Sequence, residues 1–331
     1  MATIPDSMQV FQVENAGKNS VLQLVHRKVP EPGADQLLIK VAAAGVNRAD
    51  LMQRRGLYPA PPGDSDILGL EVAGVVVAAG QQHRSWLGKA VFGLVNGGGY
   101  AEYALMQAGH AMAVPNGFSM AEAGATAEVF LTAYQLLHSI GGLQSSQHVL
   151  VHAGASGVGT AAIQMAKLLG AKVAVTASSD DKLNVCRMLG ADMMLNYTVS
   201  AFETALAEHW PQGLNLILDP VAGDYISREI PLLAMDGKIV LYALMGGREV
   251  PQLDLSALFK RRGQLICSTL RNRSNKYKSN LTQAFCQTYA KALAQRKLRP
   301  ILQQQFNWQQ AEQAHQLMAS NKTSGKLVLT F

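Results

Sequence analysis

The sequence predicts an α/β protein: a doubly wound parallel sheet joined to a β-rich second unit. Three observations carry this. From about residue 121 to 268, short continuous apolar runs alternate with stretches of helical spacing, the pattern of a parallel sheet covered on both faces. The first third instead holds short alternating runs separated by turn clusters, as antiparallel strands do. Finally, 331 residues exceed what one hydrophobic core organises comfortably.

The elements follow in order. Residues 21–25 and 36–41 alternate in hydrophobicity around the turn cluster Pro30-Glu31-Pro32-Gly33. Residues 71–78 form a valine-rich strand, and Pro59, Pro61 and Pro62 with Gly63 mark an irregular loop before it. Residues 121–138 have helical spacing. Then strand and helix alternate: strand 148–153, helix 160–169, strand 172–176 and helix 180–189. Further strands follow near Leu195 and at 214–219, 238–242 and 264–268. A long polar helix, 277–295, precedes short segments ending at 326–330, which read as β again and are expected to return to the first unit. The chain thus divides as 1–125, 126–268 and 269–331, the middle block being a Rossmann-type domain.

Composition narrows the function. With 48% hydrophobic and 16% charged residues, the chain is a well-buried globular protein, not a disordered one. The formal charge of +6 attracts anions, but its densest run, Lys260-Arg261-Arg262, reads as a solvated loop or helix end. Basic residues are not interleaved with stacking aromatics, which argues against nucleic acid as the main partner. Cys186, Cys267 and Cys286 match neither a disulfide framework nor a metal spacing. The N-terminal stretch lacks the apolar core of a signal peptide, and no run is long enough to span a bilayer. A cytoplasmic location with no membrane partner is expected.

The strongest motif is the run from His152 to Gly159, His-Ala-Gly-Ala-Ser-Gly-Val-Gly, between a strand and a helix. Gly154, Gly157 and Gly159 are spaced G-x-x-G-x-G, a variant of the dinucleotide fingerprint. Glycines let backbone N–H groups, including that of Val158, approach a pyrophosphate at the positive end of the helix. Ser156 offers a hydroxyl beside them. Where an NAD enzyme carries an acid about 20 residues on, this chain has Thr176-Ala177-Ser178-Ser179. Ser178 and Lys182 are candidates to hold a 2′-phosphate, so the expected cofactor is NADPH. Asp180 and Asp181 nearby oppose that phosphate, and a lysine on a solvated helix face is the bland alternative for Lys182.

Several further runs carry a resemblance: Val46-Asn-Arg-Ala-Asp-Leu-Met-Gln-Arg54, Ile67-Leu-Gly-Leu-Glu-Val-Ala-Gly74, Leu216-Ile-Leu-Asp219, Leu241-Tyr-Ala-Leu-Met-Gly-Gly247 and Leu270-Arg-Asn-Arg-Ser-Asn-Lys-Tyr277. With the glycine turn, they make the chain resemble the zinc-free quinone-oxidoreductase branch of the medium-chain dehydrogenase/reductases over nearly its whole length. The resemblance implies a GroES-like catalytic domain, split in sequence around the Rossmann domain, and homodimers, with dimer and tetramer left as alternatives. It places further cofactor contacts on Arg48, Asp50, Tyr197, Ala243, Leu244, Met245, Gly246, Thr269, Leu270, Arg271 and Lys326. It also implies that no metal is held. Zinc alcohol dehydrogenases of the superfamily carry Cys where Asn47 stands and His where Leu70 stands. Their third ligand falls near Glu128, and Glu71 alone cannot complete a tetrahedral site.

The expected activity is hydride transfer from NADPH to a small-molecule quinone, with an enone or alkenal as the alternative acceptor. Positioning carries most of this chemistry. Asn47 and Tyr58 are the candidate catalytic residues, as walls or hydrogen-bond donors of the acceptor pocket. Asn47 capping a turn and Tyr58 packing as an ordinary aromatic are the competing readings. Met52 and Met245 suit adaptable apolar walls. His152 reads as structural rather than as a base.

Overall fold

In the computed structural model, which describes residues 3–331, the predicted parallel sheet takes six strands. Their spatial order is Met193–Asn196, Lys172–Ala177, His148–Val151, Leu214–Asp219, Leu233–Leu241 and Gln264–Cys267, all pairs parallel. The order reverses between His148–Val151 and Leu214–Asp219. At such a switch point the connections leave to opposite faces and open a crevice at the carboxyl ends of the strands. The glycine turn opens there, because it follows His148–Val151 directly. One core of this unit gathers Leu150, Phe202, Leu206, Ile217, Ile230 and Ile239.

The β-rich unit runs up to Leu131 and resumes at Arg271, and the Rossmann unit occupies Thr132–Leu270. A seven-stranded sheet organises the β-rich unit in the order Leu302–Asn307, Lys326–Thr330, Gln36–Val46, Glu71–Ala79, Ala90–Leu94 and Ala111–Ala113. Tyr103–Gln107 also pairs with Gln36–Val46. Lys326–Thr330 lies antiparallel to Gln36–Val46, with Leu327 opposite Val46. That pairing returns the chain's end to its beginning and sets Lys326 near Asn47. A separate hairpin joins Ser7–Glu14 to Val21–Lys28. The core, with Phe11, Leu37, Ile39, Val72, Tyr100 and Trp308, is closed by the helix Ala311–Ala319.

Several boundaries differ from the sequence reading. The stretch 121–138 is not one helix but Met120–Gly124, Ala127–Tyr134 and a π-helical turn, Gln135–Ile140. A Cβ at Gly124 would meet Ala43 at 2.9 Å, so close packing on the sheet governs the chain path there. The helix expected at 160–169 begins at Gly157, since Ser156 caps it by accepting from Gly159 N at 3.0 Å. The strand expected at 238–242 starts at Leu233 and passes through an irregularity at Asp236, where φ is +61°. Asp236-Gly237 reads as a turn in sequence, which hides that extension. Lys260 ends the helix Leu255–Lys260, and Arg262 pairs with the exposed Asp236.

Candidate functional site

In the Rossmann unit the glycine turn is shaped by contacts that exclude side chains. A Cβ on Gly159 would meet Ala153 O and Gly154 O at 2.5 Å, and one on Gly154 would meet Val175 Cβ at 2.8 Å. The backbone of residues 153–159 therefore packs against itself and the neighbouring strand, and its free N–H groups head the helix Gly157–Leu169. Such a geometry suits a diphosphate. Ser156 spends its oxygen on the cap, which leaves its O–H to donate.

At the end of the strand Lys172–Ala177, Lys182 Nζ donates to Ser178 Oγ at 3.3 Å, both groups being partly exposed. Burial lowers the Lys182 pKa. Tyr197 is exposed and holds its strand end through its N–H to Ala177 O at 3.3 Å. The segment 243–246 is anchored by Met245 N to Pro220 O and Gly246 N to Val221 O, with Leu244 and Met245 exposed. Thr269 is exposed and Leu270 buried. The structure thus gathers Gly154, Ser156, Gly157, Val158 and Gly159 in one turn, and Ser178, Lys182 and Tyr197 around one strand end.

His152 is enclosed behind that turn, its Nδ1 2.8 Å from Thr176 Oγ1 and its Nε2 2.9 Å from Glu229 Oε1. The Glu229 contact is close but falls short of hydrogen-bond geometry, so both Glu229 oxygens lack a hydrogen bond. Burial drives the imidazole down to about 4 and the Glu229 carboxyl up to about 8. The neutral forms of both groups are the ones that fit an apolar setting.

In the β-rich unit a buried polar cluster forms around Asn47, which stands at the N-cap of Arg48–Arg54. Lys326 Nζ lies 2.7 Å from Glu71 Oε1, 2.6 Å from Asn47 Oδ1 and 2.8 Å from Val46 O. Asn47 Nδ2 donates to Glu71 Oε1 at 3.1 Å, and Glu128 N donates to Glu71 Oε2 at 3.0 Å. Asp50 is wholly enclosed and accepts from Asn47 N, Gly69 N and Tyr100 Oη. Its carboxyl rises to about 6 through burial, opposed by the Asn47 N–H and by Lys326. With no exposed surface, Asp50 acts through the residues it holds; direct contact with a cofactor is not available to it in this arrangement. Tyr100 continues the network to His315 and thence to Arg54.

Two further expected residues meet elsewhere in the same unit. Arg271 Nη1 donates to Tyr58 O at 2.9 Å, its Nη2 donates to Gln53 Oε1 at 2.7 Å, and its guanidinium lies 5.1 Å from the Tyr58 ring centroid. Burial and the nearby Glu128 carboxylate raise the Tyr58 pKa. Glu128 itself is raised to about 7, chiefly by burial and then by Glu71. Arg48 stands apart, with Nη2 donating to Asn321 Oδ1 at 2.6 Å.

Comparison with known proteins agrees with this architecture. The model of the alcohol dehydrogenase GroES-like domain matches residues 33–116, and that of the zinc-binding dehydrogenase matches residues 157–285. The chain belongs to the medium-chain dehydrogenase/reductase superfamily of oxidoreductases. It is 31% identical to the human synaptic vesicle membrane protein VAT-1 homolog over 69% of this chain and 58% of that protein. It is 28% identical, over 97% of its length, to a phenolphthiocerol/phthiocerol polyketide synthase polypeptide of Mycobacterium tuberculosis, and spans 15% of that much longer protein. Among solved structures, a mycobacterial protein complexed with NADPH superposes with a TM-score of 0.85 at 29% identity, covering 98% of this chain and 100% of that one. A Pseudomonas syringae quinone oxidoreductase gives 0.84 at 26%, covering 98% and 100%. The CurK enoyl reductase gives 0.84 at 26%, covering 98% and 99%.

Membership in this superfamily raises the question of zinc, and the donor set does not fit it. Asn47 offers an amide whose oxygen already accepts from Lys326, Leu70 offers no donor, and Glu71 is paired with the same ammonium. The cation at this position is the protein's own lysine. Among the described residues, no group of three or more His, Cys, Asp and Glu side chains is arranged to hold a metal ion, and no helix is long and apolar enough to cross a membrane. Sequence reasoning left two participants unassigned: Glu128 as a titrating group and Glu71 as the partner of Lys326. Their signal is spatial, since strand register and helix packing create it.

Proposed function

We propose that the chain is an NADPH-dependent, zinc-independent quinone oxidoreductase. The observation that carries the cofactor reading is the Ser178–Lys182 pair at the end of the second parallel strand. A hydroxyl and an ammonium there suit a 2′-phosphate, where a carboxylate would repel it. The self-packed glycine turn supports diphosphate binding, and the NADPH-bound structural relative supports the same cofactor.

The bound nicotinamide would supply a hydride. The chain's own contribution is positioning and proton supply. Lys326 and Glu71 lock Asn47 in one orientation. The raised Tyr58 pKa keeps its phenol protonated, so that Oη can donate to an acceptor oxygen. Glu128, half protonated near neutral pH, can replace the proton lost to the reduced acceptor.

Reduction of an activated C=C bond is the second reading, favoured by the likeness to an enoyl reductase and by the polyketide synthase relative. Both readings share one test. Initial rates with a benzoquinone and with a 2-alkenal are measured against NADPH and NADH. Preference for NADPH and the quinone is expected; a faster alkenal moves the assignment to the second reading, and inactivity on both removes it. A homodimer is part of the proposal: the edge strand Gln264–Cys267 leaves Leu265 open, and Leu255 and Phe259 in the helix before it are exposed as well.

A further inference from the structure

Within the β-rich unit, a cavity of about 200 Å³ opens where the proline-rich loop faces the start of the helix Asn275–Ala294. Its walls include Arg271, Arg273 and Lys278 against a single carboxylate, Asp64. Arg271 and Lys278 are 7% and 4% exposed. Among the described residues, neither has a carboxylate within ion-pair distance.

Their hydrogen bonds all go to neutral oxygens. Arg271 donates to the Tyr58 carbonyl and the Gln53 amide. Lys278 donates to Asn96 Oδ1 at 3.0 Å. A guanidinium has five donor hydrogens and an ammonium three, so most of this donor capacity is unspent. Burying a charge without a paired counter-ion is costly, and burial lowers the Lys278 pKa against the longer-range attraction of Asp64 and Glu128. Bracing the Tyr58 loop needs only neutral donors, so a structural role does not account for two buried cations. Ser274, which caps the 20-residue helix by accepting from Tyr277 N, adds a positive helix terminus to the same wall. At about 30 Å³ per water, the space is about seven waters, enough for a phosphate or carboxylate with part of its hydration.

We propose that this cavity receives an anionic oxygen group, phosphate or carboxylate, carried by the acceptor at some distance from its reducible carbon atoms. Arg271 links the two places, since its guanidinium lies against both the cavity and Tyr58. The acceptor is therefore an acidic quinone or enone, and the inference rests on the reductase reading above.

The test uses the whole NADPH-saturated protein and a naphthoquinone bearing a carboxyalkyl chain, alongside its methyl ester. Their kcat/KM ratio cancels intrinsic quinone reactivity. The acid is preferred by the natural chain, and Lys278→Gln lowers the acid-to-ester ratio about tenfold, the scale of one charged hydrogen bond. Lys291→Gln, on the exposed side of the same helix, leaves the ratio in place. Inorganic phosphate at constant ionic strength competes with the acid and not with the ester, a readout that needs no variant. An unchanged ratio in a folded Lys278→Gln protein, or equal inhibition of both acceptors by phosphate, overturns the proposal. If neither quinone is reduced, the reductase reading fails instead. Calorimetry of phosphate binding to the NADPH-loaded chain then decides the cavity separately, and absence of binding sinks it.

Discussion

Replacing Lys326 by Met removes the ammonium while keeping an unbranched side chain one heavy atom shorter than lysine. The two partners are 3% and 0% exposed and lie 2.7 Å apart. At an effective dielectric of about 20, opposite charges at that distance attract by about 6 kcal/mol, before the cost of drying them. Desolvation offsets most of that, so the intact pair contributes little net stability. The variant, however, leaves the Glu71 carboxylate buried with only Asn47 Nδ2 and Glu128 N as donors. Stranding one partner of such a pair costs about 3–5 kcal/mol, a large share of the roughly 5–15 kcal/mol that holds a domain folded. Urea unfolding followed through Trp308, in a chain whose Trp86 and Trp210 are phenylalanine, reports the β-rich unit. Trp308 is 7% exposed and stacked on Phe331 there. Adding Glu71→Gln to Lys326→Met is expected to recover at least about 2 kcal/mol, because the uncompensated charge is gone. A loss under about 1 kcal/mol for Lys326→Met, or no recovery in the double variant, refutes the reasoning.

Lys182→Ala is expected to raise the KM for NADPH about tenfold while leaving that for NADH within about twofold, the loss of one charged contact to a phosphate; equal effects on both cofactors contradict the assignment of Ser178 and Lys182. Glu128→Gln is expected to change the pH profile of kcat. A group near 7 must be protonated to donate, so wild-type activity declines as pH rises through about 7, whereas the amide variant is slower and flat across that range. Glu229 binds a proton on folding, having risen from 4.5 to about 8, so its contribution is full below about pH 4.5 and is lost as pH rises towards 8. His152 works oppositely, its contribution being lost as pH falls from 6.5 through about 4. Between pH 6.5 and 8 the Glu229 slope reaches up to about 1.4 kcal/mol per unit, joined towards the lower end by that of Glu128, which is raised to about 7. Glu229→Gln should flatten it, as urea midpoints at those two pH values will show.

The Rossmann half was legible because its information is local. Each buried strand, such as His148–Val151 or Leu214–Asp219, is a continuous apolar run followed by a turn and a helix, so composition and order alone give the topology. The glycine turn was legible in part for the same reason, since Gly159 is crowded by Ala153 and Gly154 within the turn itself, whereas Gly154 is crowded by Val175 on the next strand. The β-rich half was read less completely. The strand Ser7–Glu14 alternates in sequence, but its significance depends on pairing with Val21–Lys28 across a short turn. The site there was read only in part, because its members come from distant places. Asn47, Glu71, Glu128 and Lys326 span most of the chain and meet only through strand register and helix packing. Lys278 looked like one more lysine on a polar helix; its burial reflects the path of the Asn96 and Pro61 segments against it.

The Lys326 cluster also bears on which acceptors the site can serve. Each of the three ammonium hydrogens has a partner in Val46 O, Asn47 Oδ1 and Glu71 Oε1. The amide hydrogens of Asn47 are directed to Gly45 O and Glu71 Oε1. The strongest local cation and its nearest amide are thus committed internally, and neither has a donor left for a substrate carbonyl. A simple ketone takes hydride only when its oxygen is strongly polarised, the task a divalent cation performs elsewhere in this superfamily. In the proposed reaction, polarisation falls to Tyr58, a neutral phenol whose pKa is raised rather than lowered. A weak donor suffices only for an acceptor that is already electron-poor and whose reduced oxygen is a stable anion. Quinones and conjugated enones meet that condition, and unactivated ketones do not.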